Sequence, residues 1–441
     1  MKKNFYVGLI ALTALTVTSC SNDDVVMQSP EVNKAIEFGT YVGRDAVSRG
    51  SVITQDGSTS GTATTTLSLK VKGFGVFAYY TNESSYVAED DPNTQDKESS
   101  PCNFMYNQLV NWPVNAADWT YSPIKYWPND PGDKLTFFAY APYDDADAGQ
   151  GEVDNISFNA QTDMSGDPII SFTVNNEVKN QQDLLWSRTE NIDKVKNQLP
   201  QNGITTTDEI TFNFAHALSR IGFTVRAVTD EVSAGTEKLL DTYTTIVLKE
   251  VRLVDSEVVG NTAPTTGNFY QSGTLNLNNP VADISTSPAT AMWVNKTGAQ
   301  YFTLTNTHFI DEATDNTNGF VINQDNSATA NKLNKDDSYI MIIPRDFGNC
   351  TDDDQTNNTP LYVYVEYDVI TTDSNVGGTS TVTNHITKPI YINFESGKAY
   401  TLNLQLGMTS VKVTADVDAW SEQTGTSVDL PQNTQQQQQN P

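Results

Sequence analysis

Cysteine is scarce in this chain. Its 441 residues hold three, and one of them, Cys20, ends an apolar leader. The disulfide frameworks that staple small secreted domains are therefore excluded. Cys102 and Cys350 could form one bridge in an oxidising compartment, and their positions leave that open. Histidine is equally rare. His216, His308 and His385 stand far apart with no Cys or Glu at ligand spacing, which argues against a zinc site. Basic residues are outnumbered, 26 against 54 acidic ones, for a net charge of −28. Such a surface argues against nucleic acid as a partner and against lying on an anionic membrane. Neither a Gly-x-Ser-x-Gly elbow nor a phosphate-cradling glycine loop occurs, and no pair of carboxylates is singled out for glycoside hydrolysis. Asp144-Asp145-Ala146-Asp147 and Asp352-Asp353-Asp354 lack the regular ligand spacing of a calcium loop ending in Glu, and read as solvated loops. The sequence thus offers no catalytic residue, no metal site and no cofactor site, and the reading is non-enzymatic. Helical periodicity is nearly missing, with Val232 to Tyr243 as a weak candidate. Beyond the leader, no apolar run reaches the ~20 residues that a membrane span requires.

What is present starts with that leader. Met1-Lys2-Lys3 is basic, Tyr6 to Val17 is apolar, and Val17-Thr18-Ser19 are small residues ahead of Cys20. This is the anatomy of a secretory signal, and its apolar run is too short to cross a bilayer. A cysteine at that point resembles a bacterial lipobox. Residues 1–19 are therefore expected to be a lipoprotein signal peptide and Cys20 the lipidated, palmitate-bearing first residue of the exported chain. Two or three acyl chains hold a protein firmly on a membrane, where one binds marginally. Residues 20–31 are polar and acidic and read as a flexible tether. An acidic tract in that place resembles the surface-export signal of Bacteroidetes lipoproteins.

Strand signals then follow one another. Phe74 to Tyr80 and Leu135 to Tyr140 are dense β-prone runs. Trp119 to Pro128 is aromatic and broken by proline, which suits an edge or corner strand. Ile210, Phe212 and Phe214 alternate with polar residues, as do Ile221, Phe223 and Val225. Two clean alternations end the ordered region: Tyr400, Leu402, Leu404 and Leu406, then Val411, Val413, Ala415, Val417 and Ala419. Each buries one face and wets the other. Strand after strand with Gly, Asn, Asp and Pro turns predicts an all-β fold of two tandem β-sandwich domains, over 32–205 and 206–423. Residues 424–441 end in a glutamine run and read as a disordered tail. The aromatic concentration at Trp112, Trp119, Tyr121, Tyr126 and Trp127 could stack on sugar rings, but β-sandwich cores want such residues, and a core role is favoured.

Several segments in order are similar to the fimbrillin-like family of Bacteroidales. They are Ile36-Glu37-Phe38 ahead of Ser48-Arg49-Gly50, then Trp119-Thr120-Tyr121 with Lys125-Tyr126-Trp127-Pro128. Leu135 to Pro142, Asp183-Leu184-Leu185, Phe214 to Arg220 and Gly397 to Leu402 continue the match. That family supplies subunits of lipoprotein-derived (type V) pili. The resemblance implies transthyretin-like sandwiches, export as a lipoprotein to the outer membrane and cell surface, and cleavage by an Arg-specific protease near the N-terminus. Arg49, ahead of Gly50, is the first candidate for the cut and Arg44 the second. Cleavage would remove the lipid and the strand carrying Ile36 and Phe38, and a strand from another fimbrillin-like subunit would fill the vacated groove. Candidate donors are Val411, Val413 and Val417 on one alternation, and Val428 with Leu430 on a shorter one. The favoured reading of Val411 to Trp420 is the last strand of its own domain, which leaves the segment near Val428 as a weaker donor candidate. The expected role is stalk or tip of a fimbrium that meets a host or microbial glycan or protein receptor. The rival reading is a lipid-anchored surface lipoprotein that binds glycans and never polymerises.

Overall fold

The computed structural model describes residues 35–42, 69–88, 98–114, 116–128, 133–144, 155–187, 209–228, 243–278, 293–310, 319–322, 331–335, 338–348, 359–373, 377–419 and 426–428. Nearly every element among them is a strand, as the composition and turn pattern predict. The first sheet has six strands in the order Phe38–Val42, Ile210–His216, Leu185–Ser187, Leu135–Ala141, Phe74–Tyr80, Met105–Val110. Its central strands Phe74–Tyr80 and Leu135–Ala141 are buried on both faces, which is why they read as continuous apolar runs rather than alternations. One face carries Phe77, Tyr79, Phe138, Tyr140 and Trp186 towards a four-stranded sheet, Trp293–Thr297, Ser272–Asn276, Ile169–Thr173, Ile156–Ser157. The opposite face carries Phe74, Phe137, Phe212 and Phe214 into a second, separate core.

The later part of the chain builds two further sheets. One joins Phe302–Thr305, Thr244–Val254, Leu361–Thr372 and Thr379–Ile390, with Phe320–Ile322 also on Thr244–Val254. The other joins Asn331–Lys332, Ser219–Ala227, Lys398–Leu406, Val411–Ala419 and Thr426–Val428, with Ile340–Ile342 also on Ser219–Ala227. Lys398–Leu406 shows the in–out burial that its alternation predicts. The larger core runs without a break from Phe77 to Leu406 through both sandwiches.

Sheet membership changes between His216 and Ser219, since Ile210–His216 lies in the first sheet and Ser219–Ala227 in the last. Ser272–Asn276 and Trp293–Thr297 also return to the first sandwich. A cut at 205/206 would therefore separate the first sandwich from three of its strands. The crossing is fixed by polar contacts. The Trp293 indole donates to the Ala217 carbonyl at 2.8 Å, the Ser396 hydroxyl donates to the same carbonyl at 2.9 Å, and His216 Nδ1 lies 2.7 Å from Asp183 Oδ2. His216 is thus a structural residue at a strand corner. Among the other histidines, His308 caps a short turn through the Thr305 amide, and His385 meets the Tyr364 hydroxyl at 2.9 Å.

Trp119 to Pro128 differs from its expectation. It forms no ladder strand; isolated bridges tie Thr120 to Asn111 and Tyr126 to Ala35. Prolines in this segment remove donors that a ladder would use. Cys102 carries a free, buried thiol, 3.1 Å from the Met105 carbonyl, and burial pushes it up to about 12. Cys350 lies outside the described residues, as do the leader, the tether, both acidic clusters beyond Asp144, all of the helix candidate but Tyr243 and the glutamine run.

Candidate functional site

The expected removable strand is an edge strand of the first sheet. Phe38–Val42 pairs in parallel with Ile210–His216, from Phe38 opposite Ile210 to Val42 opposite Phe214. Two residues earlier the chain is held from its other side, where the Ile36 amide donates to the Lys125 carbonyl at 2.9 Å. The Tyr121 hydroxyl donates to the Ile36 carbonyl at 2.9 Å, and the Ile210 amide donates to the Glu37 carbonyl at 2.9 Å. The segment is thus gripped along both edges at its start and along one edge afterwards.

Its side chains are set deeper than its hydrogen bonds suggest. Ile36 is 1% exposed and Phe38 is 3% exposed. Phe38 stacks on Phe212 at 5.8 Å and meets Tyr121 at 5.3 Å, Phe137 at 6.0 Å and Phe74 at 6.4 Å. Four rings therefore surround one, an arrangement that adds specific aromatic contacts to area burial. Fully burying each such side chain contributes about 1.5–3 kcal/mol. Without the strand, Ile210–His216 would present an unpaired edge beside a slot lined by those rings.

The rim of the slot is acidic. A Cβ on Gly39 would come within 2.5 Å of the Glu209 carboxylate, so the strand passes directly beneath that group. Burial raises the Glu209 carboxyl above its usual range, and the neighbouring charges of Asp118 and Glu37 push the same way. The aromatic walls Tyr121, Phe137 and Phe212 were legible only as aromatic density, and nothing in the sequence marks Glu209 as their rim.

The other singled-out residues fall as follows. Val411–Ala419 pairs antiparallel with Lys398–Leu406 along its full length, from Val411 opposite Leu406 to Ala419 opposite Lys398. Val411 and Val413 are buried, and Val417 packs against the main core. Thr426–Val428 is added at the outer edge by three pairs, Val428 opposite Ala415. Cys20, Arg44, Arg49, Gly50 and Leu430 lie outside the described residues. Trp127 is 5% exposed, and Trp119 packs between Phe74 and Trp112 at 5.0 and 5.3 Å. Trp127 is part of the core beside the slot and Trp119 packs half-buried against it, while Tyr126 is half exposed.

Comparison with known proteins follows the same lines. The fimbrillin-like family model matches residues 62–420. The chain is 26% identical over 434 residues to fimbrium subunit Fim1C of Phocaeicola vulgatus, covering 96% of this chain and 98% of that one. Among solved structures it is similar to a fimbrial assembly protein from Parabacteroides distasonis, at 10% identity and TM-score 0.33, covering 90% of this chain and 100% of that one. It is also similar to the tip fimbrial protein Mfa3 of Porphyromonas gingivalis, at 9% identity and TM-score 0.30, covering 79% and 95%. With a family model matched over most of its length, the chain belongs to the fimbrillin-like family.

Proposed function

We propose that this chain is a structural, adhesive subunit of a cell-surface fimbrium, assembled by strand exchange after proteolysis near Arg49. In this reading an Arg-specific protease cuts between Val42 and Leu69, and the lipid on Cys20 that held the precursor at the outer membrane leaves with the N-terminal piece. The strand Phe38–Val42 leaves its slot, and a segment from another fimbrillin-like subunit takes its place. The observation that carries the reading is the setting of Phe38. A single edge strand plugs a slot of four aromatic rings, and its release would open both a backbone edge and an apolar cleft. A donor with apolar residues two apart would restore the ladder and the core together, as in donor-strand complementation.

Connectivity separates the candidate donors. Val411–Ala419 is bound to its neighbour along nine residues and follows it through a tight turn, where the Gly407 amide donates to the Ser410 carbonyl at 2.8 Å. Releasing it would strip Val411 and Val413 from their own core. The Thr426–Val428 pairing is far shorter. Beyond it, Val428-Asp429-Leu430 repeats the apolar–acid–apolar order of Ile36-Glu37-Phe38. We assign the donor role to the segment around Val428 and Leu430. The finished fibre would present its shaft or tip to a host or microbial glycan or protein receptor.

The test is to treat the purified precursor with an Arg-specific protease, map the new N-terminus and follow assembly by gel and electron microscopy. The expected result is an N-terminus at Gly50 with detergent-resistant ladders or filaments. A cleaved chain that keeps Phe38–Val42 in place and stays solitary would overturn the reading. A surface-exposed form that retains Cys20 and never assembles would favour the non-polymerising lipoprotein instead.

A further inference from the structure

The second sandwich ends in a long strand with one open edge. Thr379–Ile390 closes its sheet, bonded to Leu361–Thr372 on one side and, among the described residues, to no strand on the other. It has twelve residues, and the next longest edge strand among those described, Met105–Val110, has six. Its pairing runs from Leu361 opposite Ile390 to Thr372 opposite Thr379 without a register shift, so no bulge turns the edge away. Natural sheets blunt such edges with charge or proline, because a straight row of open N–H and C=O groups is a template for another strand. Here those devices, Lys388 and Pro389, stand at the far end. Thr379 to Thr387 holds no Asp, Glu, Lys or Arg and is rich in β-branched side chains, in a chain of net charge −28.

The core-facing side of this strand is also incomplete. Residues directly opposite share a face, and Val382 stands opposite Val369, a residue of the main core that is 5% exposed. Val382 nevertheless remains 57% exposed. The facing sheet meets the strand two residues further along, where the Asn384 amide donates to the Met408 carbonyl at 3.0 Å. Val382 lies beyond that cover. An added strand would therefore satisfy the open edge and bury this aliphatic side chain together. What fits is set by symmetry and charge. Two antiparallel copies of one strand pair about a two-fold axis, which makes the contact self-complementary. With Val382 on that axis, each copy's valine is buried against the other's, and uncharged residues flank them along the edge. Copies that each carry −28 can come close only across such ground. Beyond it, Lys388 of each copy falls level with the other copy's turn, which starts at Asp373, so unlike charges stand at each end.

We propose that Thr379–Thr387 is a docking edge for the same edge of a second copy, joining two sheets antiparallel across Val382. One strand pair is small beside the roughly 1,200–2,000 Å² of a standard stable interface, so the association is weak and reversible. It needs no cleavage and no released strand. It is therefore tested on the uncleaved, unlipidated chain, where strand exchange does not contribute. Sedimentation at about 0.15 M ionic strength, from micromolar to near-millimolar protein, should show a monomer–dimer equilibrium. Val382→Lys and Val382→Glu set like charges directly opposite on the axis, and each should weaken it about tenfold. An equal mixture of the two variants should restore association, because unlike charges then meet. Val114→Lys, at a valine 92% exposed outside this sheet, should change nothing. Unfolding curves on each variant establish that the fold is retained. The proposal is overturned if the chain stays monomeric throughout, which would leave the edge to a foreign strand. It is overturned equally if the folded Val382 variants associate like the parent, or if mixing them restores nothing.

Discussion

The two ends of the strand framework solve the same problem by opposite means. Val411–Ala419 is the second arm of a hairpin, zipped to Lys398–Leu406 across a short turn. Phe38–Val42 pairs in parallel with a strand far away in sequence, over five residues, and holds by its side chains. A hairpin arm cannot leave without dragging its turn and its partner. A parallel edge strand joined by the long connection from 43 to 68 is freed by one cut in that connection. In the proposed strand exchange this connectivity is what would let the entry strand be both well anchored and removable.

The largest expected effect comes from deleting residues 1–49. Two buried apolar side chains and several ladder hydrogen bonds are lost, on the order of 5–8 kcal/mol in all. Urea unfolding should show the first sandwich destabilised by that amount or no longer folded, and a peptide spanning residues 35–42 added in trans should restore it. Deleting residues 420–441 should change the midpoint little, because among the described residues only the three pairs of Thr426–Val428 are given up. Equal losses at the two ends would erase the contrast.

Single substitutions sharpen it. Phe38→Ala empties the centre of the aromatic slot and should cost roughly 3–5 kcal/mol. Val413→Ala removes two methyl groups from a comparably buried site and should cost about 1.5–2 kcal/mol. If the valine proved the more damaging, the hairpin arm and not the entry strand would be the anchored element.

Much of this framework was legible because it is local. The alternation from Tyr400 to Leu406 and from Val411 to Ala419 dictates which face is buried, and the hairpin between them follows. The continuous apolar runs at Phe74 and Leu135 mark the centre of a sheet covered on both faces. What was not legible is long-range pairing. Nothing in Ile169–Thr173 announces Ser272–Asn276 as its neighbour, and nothing in Ile210–His216 assigns it to the first sheet rather than the second. At the slot, Ile36 and Phe38 drew notice because they stand ahead of the arginines that suggest a cut. Their ring partners come from three other segments, and only the fold assembles them.

A smaller effect tests how closely the entry strand is fitted at its rim. Gly39→Ala places a methyl group against the Glu209 carboxylate, which can swing aside, so the loss should be about 1 kcal/mol. Combining it with Glu209→Ala should recover most of that loss. Full additivity of the two losses in denaturant unfolding would mean that the two residues do not meet.

The smallest effect is a pH dependence confined to the same edge. Glu209 holds its proton more tightly in the folded chain than its usual carboxyl range, through burial and then through Asp118 and Glu37. Proton binding therefore favours the folded strand. The added stability is fully present below the carboxyl's unfolded value and is lost as pH rises through its raised folded value. Amides of Phe38–Val42, corrected for intrinsic rates, should exchange more slowly as pH falls through the carboxyl's raised folded value. Glu209→Gln should flatten that dependence at the entry strand while leaving Val411–Ala419 unaffected. The group is largely solvent-facing, so water and salt screen the effect and hold it below that of the buried substitutions. The acidic rim would then make the plug easier to withdraw at neutral pH than in acid, without weakening the aromatic contacts that seat it.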